Sequence, residues 1–248
     1  MKTLKNSIQI AILFLLINPA FYAQNSLEGT IADWSNGEVP LVFNDYIAKE
    51  QFTMGTISSQ GALTVQLDAN FIETMKEASK KAKEKAPSGW EMKFNTVAST
   101  FGCSDEDNLS YENAGVIFPG LPDLEAVGAD GATTYGYLYC SNSRELSTWF
   151  NNYGEGNIAK GYYLRWFFAE NNASVKGSCN MPTYTGNDDE NYMDATVYDL
   201  DLQKGWNIIK YAITETFTSQ AGKITPSKTE VTRIDSIPDD AEWLLVTN

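Results

Sequence analysis

From Trp90 onward the chain alternates apolar and polar residues at a period of two, and this period limits the accessible folds more than any other feature. Successive side chains of a strand point to opposite faces. In one segment Tyr198, Leu200 and Leu202 share a face, while Asp199 and Asp201 share the other. That is the pattern of an antiparallel sheet with one buried and one wet side. Trp90–Val97, Gly115–Phe118, Tyr135–Cys140, Gly161–Phe168, Ala195–Leu202, Trp206–Ile213, Val231–Ile234 and Trp243–Val246 all read as strands. The pair flanking Gln203-Lys204-Gly205 predicts a hairpin. Eight or more such segments predict an antiparallel β-sandwich over residues 90–248.

Residues 24–69 read as a small β-module of four short strands. Leu27–Ile31, Val39–Phe43, Gly55–Ile57 and Leu63–Leu67 carry the strand pattern, and Ser58-Ser59-Gln60-Gly61 is the turn between the last two. A linking helix is expected over 70–89. Asn70 stands at the cap with Glu73 three residues on, and Phe71, Met75, Ala78, Ala82 and Ala86 recur at helical spacing. Pro87-Ser88-Gly89 ends it. Lys76, Lys80, Lys81, Lys83 and Lys85 form a solvated face of this helix. The fold class is therefore mainly β: a small module, one helix and a larger sandwich.

Residues 1–23 have the layout of an export signal. Lys2 and Lys5 precede an apolar run from Ile8 to Ile17, too short to span a bilayer, with cleavage expected after Ala23. No membrane span is expected in the mature chain, whose destination is then periplasmic, extracellular or the cell surface. Cys103, Cys140 and Cys179 lie beyond the signal, so one disulfide and one free thiol are expected, with three pairings open.

Histidine is absent from the chain, which removes imidazole bases, imidazole metal sites and histidine pH switches. A formal charge of −14 repels phosphate backbones, so nucleic acid is not an expected partner. Enzymatic chemistry would have to rest on carboxylates, as in a glycan hydrolase. Glu170 and Glu215, each at the end of a strand, are the first choices among 32 acids that give such a pair little specificity. No catalytic residue is assigned.

Aromatic residues supply the stronger candidate. A period of two places Tyr135, Tyr137 and Tyr139 on one face of their strand, with Leu138 and Cys140 on the other. In the Gly161–Phe168 strand, Tyr163, Arg165 and Phe167 lie opposite Tyr162, Leu164, Trp166 and Phe168. If the two aromatic outer faces are adjacent, they form a ring platform for a glycan or a surface protein. The alternative is a sheet covered on both faces, by the helix or by the Trp149-Phe150-Tyr153 segment. Acidic loops at Asp105 and Asp107, and at Asp188 and Asp189, offer oxygen ligands of the kind calcium takes, the one ion the sequence suggests.

The Tyr22-Ala23-Gln24 exit, the Asp201-Leu202-Gln203-Lys204-Gly205-Trp206-Asn207 stretch and the closing Ile237-Pro238 to Trp243 segment carry a likeness. The chain resembles small exported β-rich proteins of Gram-negative, Bacteroidota-like bacteria, a resemblance that implies no activity. The expected function is non-catalytic binding of a glycan or a surface protein. A carboxylate-based hydrolase and a structural component of a surface assembly are the alternatives.

Overall fold

A computed structural model describes residues 26–45, 50–86, 88–89, 91–103, 108–187 and 189–247. The segment read above as an export signal, residues 1–23, lies outside these residues. The fold is mainly β. The first strands are β1 (Ser26–Thr30), β2 (Val39–Asp45), β3 (Glu50–Ile57) and β4 (Ala62–Gln66), followed by helix α1 (Phe71–Lys85). A short helix α2 (Val97–Thr100), β5 (Leu109–Glu112), β6 (Glu125–Val127), β7 (Thr134–Ser141) and α3 (Arg144–Asn151) come next. Long strands β8 (Gly161–Ala169), β9 (Ala173–Tyr184), β10 (Asn191–Leu202), β11 (Gly205–Thr218) and β12 (Ile224–Ile234) precede β13 (Glu242–Val246). Among the described residues, thirteen strands join one sheet in the order β1-β4-β3-β2-β6-β7-β8-β11-β12-β10-β9-β5, with β13 on the other edge of β7.

The sheet forks at β7. Thr134 to Tyr137 pair with β6, while Ser141 pairs with Tyr163 of β8. The arms fold over each other in a sandwich-like arrangement. Leu27, Leu41, Leu63 and Val65 from one arm meet Leu164, Trp166 and Ile208 from the other in a shared core. A single parallel bridge, Ile31 to Trp243, brings the end of β1 to β13.

The β3–β4 hairpin forms where the Ser58–Gly61 turn predicts it, with Ser58 N–H donating to Ala62 O at 2.8 Å. In β10, Leu200 and Leu202 are buried and Asp199 and Asp201 exposed, as the period requires. Lys176 bridges both aspartates on the wet face.

Several expectations are corrected. Gly115–Phe118 is not a strand, and Ile117 makes only an isolated bridge to Thr96. The segment after Trp90 is not a strand: Thr96 caps α2, accepting from Ser99 N–H while Ser99 Oγ accepts from Thr96 N–H. Local side-chain bonding of this kind competes with a sheet ladder. Strands β10 and β11 are not a hairpin. β12 lies between them, antiparallel to β11 and parallel to β10, which makes the sheet mixed. The bend between β10 and β11 is held instead by Asn207, which donates to Gln203 O at 2.7 Å and accepts from Gln203 N–H at 2.9 Å. Helix α3 was not expected from the strand pattern. Ser143 caps it, and Leu146, Trp149 and Phe150 turn one face to the sheet.

Helix α1 begins as predicted, but its first turn is tied by Asp68, which accepts from Asn70 N–H at 2.8 Å. Asn70 itself makes no side-chain cap bond. Phe71 rests on Trp206 at 4.9 Å, and Lys76 reaches Glu170 at 2.9 Å. Among the described residues, no helix is long and apolar enough to cross a membrane.

Candidate functional site

The two aromatic strands meet at one residue pair only, Ser141 with Tyr163. Beyond it they splay, and residues 119–124 fill the gap. Leu121 N–H donates to Trp166 O at 2.7 Å, Phe168 N–H to Pro119 O at 2.9 Å, and Leu138 N–H to Leu124 O at 2.8 Å. Around this wedge Tyr139, Phe150, Tyr163 and Arg165 still converge, lining one pocket with Asp123. Asp123, carried by the wedge, forms an ion pair with Arg165, whose side chain is 34% exposed.

The outer face of β8 is covered. Tyr163 stacks on Tyr211 at 4.8 Å and meets Phe150 of α3 at 4.1 Å. Register explains the stack, since directly paired residues share a face and Tyr163, Tyr211, Val231 and Tyr198 are paired in sequence across four strands. Burial pushes the Tyr163 and Tyr211 hydroxyls well above the ordinary phenol range. Phe167 stacks on Phe118 at 4.9 Å with the rings 3° from parallel, and Gly120 lies against its edge. Tyr139 is half-buried, donates to Asn151 Oδ1 at 3.4 Å, and is pushed up to about 12 by burial and then by Asp123. Beside it Tyr153 stands 94% exposed on a backbone with φ of 54°.

Tyr135 goes elsewhere. Tyr137 pairs with Glu125 and Gly136 with Ala126, but Val127 pairs with Thr134, so Tyr135 is the extra residue of a bulge. Gly136 has φ of 120°, and a β-carbon there would come within 2.6 Å of Val246 O. The bulge turns Tyr135 away from the Tyr139 face and toward Trp34, which it meets edge to face at 5.4 Å and 78°.

These two rings wall a cleft of about 650 Å³ between β1 and β13. Glu28, Asp33, Arg144 and Glu242 line it, and Trp243, only 8% exposed, lies beneath. The walls are fixed. Trp34 Nε1–H donates to Gly37 O at 2.6 Å, and Ile31 N–H to Gly61 O at 2.8 Å. Trp243 stacks on Trp166 at 5.3 Å, and its indole passes so close to Gly29 that a β-carbon there would collide with it.

No family model, curated protein or solved structure matches this chain. Its chemistry must be read from the site alone.

Of the acids proposed for calcium, Asp105, Asp107 and Asp188 lie outside the described residues. Asp189 is exposed, and its N–H donates to Asn187 Oδ1 at 3.3 Å. Among the described residues, no group of three or more metal-ligating side chains exists. Glu170 and Glu215 do not form a pair. Glu170 follows Ala169, opposite Gly205, while Glu215 lies past Ile213, opposite Gly161. About ten residues of strand, roughly 30 Å, separate them. The disulfide joins Cys103 to Cys179. Cys140 is free and buried, and burial pushes its thiol up to about 12, so it holds its proton at neutral pH.

Trp34, Arg144 and Glu242 escape a reading based on strand periods, because they sit in a turn, at a helix start and at a strand start. A signal did exist for Trp34: a large ring inside the turn-rich run Asp33-Trp34-Ser35-Asn36-Gly37 has no strand face to occupy.

Proposed function

We propose that the chain is an exported, non-catalytic carbohydrate-binding protein whose ligand occupies the cleft between β1 and β13. The Trp34–Tyr135 pair carries this reading. Two large rings, held edge to face at 5.4 Å, wall a space of about 650 Å³. Small-ligand sites run from about 300 to 1,000 Å³. Aromatic rings offer broad apolar contact with the C–H face of a sugar, and polar groups at the rim of the same cleft can bond its hydroxyls. Because Trp34 is already anchored to Gly37 O, little side-chain freedom is lost on binding.

The strand aromatics contribute differently. Tyr135 reaches the cleft directly, whereas Tyr163 and Phe167 support the sheet beneath α3 and Phe118. The Cys103–Cys179 bridge supports a periplasmic or cell-surface location, since disulfides persist in oxidising compartments.

Tryptophan fluorescence titration against an oligosaccharide panel tests the reading. Trp34→Ala and Tyr135→Ala should each weaken binding about 30-fold, as expected of a central aromatic contact worth about 2 kcal/mol. Tyr163→Phe, beneath α3, should leave affinity unchanged. Wild-type affinity in both cleft variants would rule the cleft out.

A further inference from the structure

We infer that the saccharide taken by this cleft carries a positive charge, as an amino sugar with its amine free. The inference rests on the carbohydrate-binding reading above and specifies its ligand. Charge around the opening is lopsided. Glu28, Asp33 and Glu242 line it, all exposed, and among the described residues none of the three takes part in an ion pair. Arg144 is the one cation in the lining, and its guanidinium leans toward Leu245 O at 3.5 Å. The walls therefore present three carboxylates against one guanidinium.

The three acidic residues meet solvent at the opening. A ligand that displaces water from between them and its own cation strengthens the attraction. The rings favour the same sign. An ammonium within about 6 Å of a ring face is drawn by the ring quadrupole. This chain already uses that contact elsewhere, with Lys210 Nζ 4.0 Å from the Tyr162 centroid. Trp34 has its indole N–H committed to Gly37 O, so that N–H is not free to donate to a ligand. An acidic sugar would meet repulsion from the rim and from a chain of formal charge −14.

The test compares two ligands that share a ring and differ in charge. The full-length protein is titrated with glucosamine oligomers and with N-acetylglucosamine oligomers of equal length, followed by tryptophan fluorescence at about pH 5.5, where carboxylates remain ionised. The amine form should bind about tenfold tighter, which two or three screened charge contacts supply. Raising the salt should weaken the amine form alone. Glu242→Gln and Glu28→Gln should shrink the preference with unchanged melting temperatures. Equal or tighter binding of the acetylated form overturns the inference and leaves the carbohydrate reading standing. Failure of both sugars overturns the inference, and failure of the whole oligosaccharide panel overturns the reading itself. A lysine-rich peptide that binds where the whole panel fails would make the cleft a peptide site and overturn both.

Discussion

Substituting Gly136 by alanine tests the bulge that delivers Tyr135 to the cleft. At φ of 120° an L-residue is strained, at a cost of about 1–3 kcal/mol. The new methyl would also lie within 2.6 Å of Val246 O and 3.1 Å of Val246 N, so β13 must move. Val246 is buried, and loosening it sacrifices part of a core side chain, about 1 kcal/mol. The sum is about 3 kcal/mol. For a chain of this size that corresponds to a melting temperature lower by roughly 6–12 °C. Gly222→Ala is the control, because Gly222 also has positive φ, 81°, but nothing lies within 4 Å of its β-carbon position. It should cost about 1 kcal/mol from conformation alone. Scanning calorimetry of the two variants separates collision from strain, and the Gly136 variant should also lose sugar affinity as Tyr135 retracts. A Gly136→Ala melt no lower than that of Gly222→Ala, with affinity intact, would refute both the close approach and the role of the bulge.

The Cys103–Cys179 bridge closes a loop of sequence separation 76, so reduction should cost about 4 kcal/mol, read as a lower urea midpoint with a reductant present. Asp130 accepts from Thr133 and Ala132, and these bonds hold its carboxyl at about 2 against an ordinary 3.8. A depressed folded-state value stabilises the fold above pH 3.8, and the contribution disappears as pH falls through about 2. Acid melts of Asp130→Asn should therefore converge with those of wild type below that point and lie beneath them above it.

Strand positions were legible because burial imposes a two-residue period, and Leu200, Leu202, Asp199 and Asp201 keep it faithfully. Pairing was less legible. Nothing between Leu202 and Gly205 announces that a strand from some twenty residues later separates β10 from β11. The doubly aromatic β8 signals a sheet buried on both sides, yet the pattern alone does not say whether the second cover is Phe150 and Phe118 or a partner. Gly136 within a strand was a usable bulge signal, and it explains why Tyr135 left the row shared with Tyr137 and Tyr139. The cleft was beyond reach, because Trp34, Tyr135 and Glu242 converge from distant parts of the chain.

The insertion of β12 has a consequence for how the molecule is made. When β10 and β11 have formed, their facing edges offer each other the hairpin that local pattern favours, and that hairpin is a trap. Native pairing requires the two edges to stay apart until β12 arrives and completes a parallel ladder on one side and an antiparallel ladder on the other. Parallel, non-local pairing is intrinsically slow. Docking of β12, which joins the β8–β11 pair to the β9–β10 ribbon as a closing stave, should accordingly limit the rate of refolding.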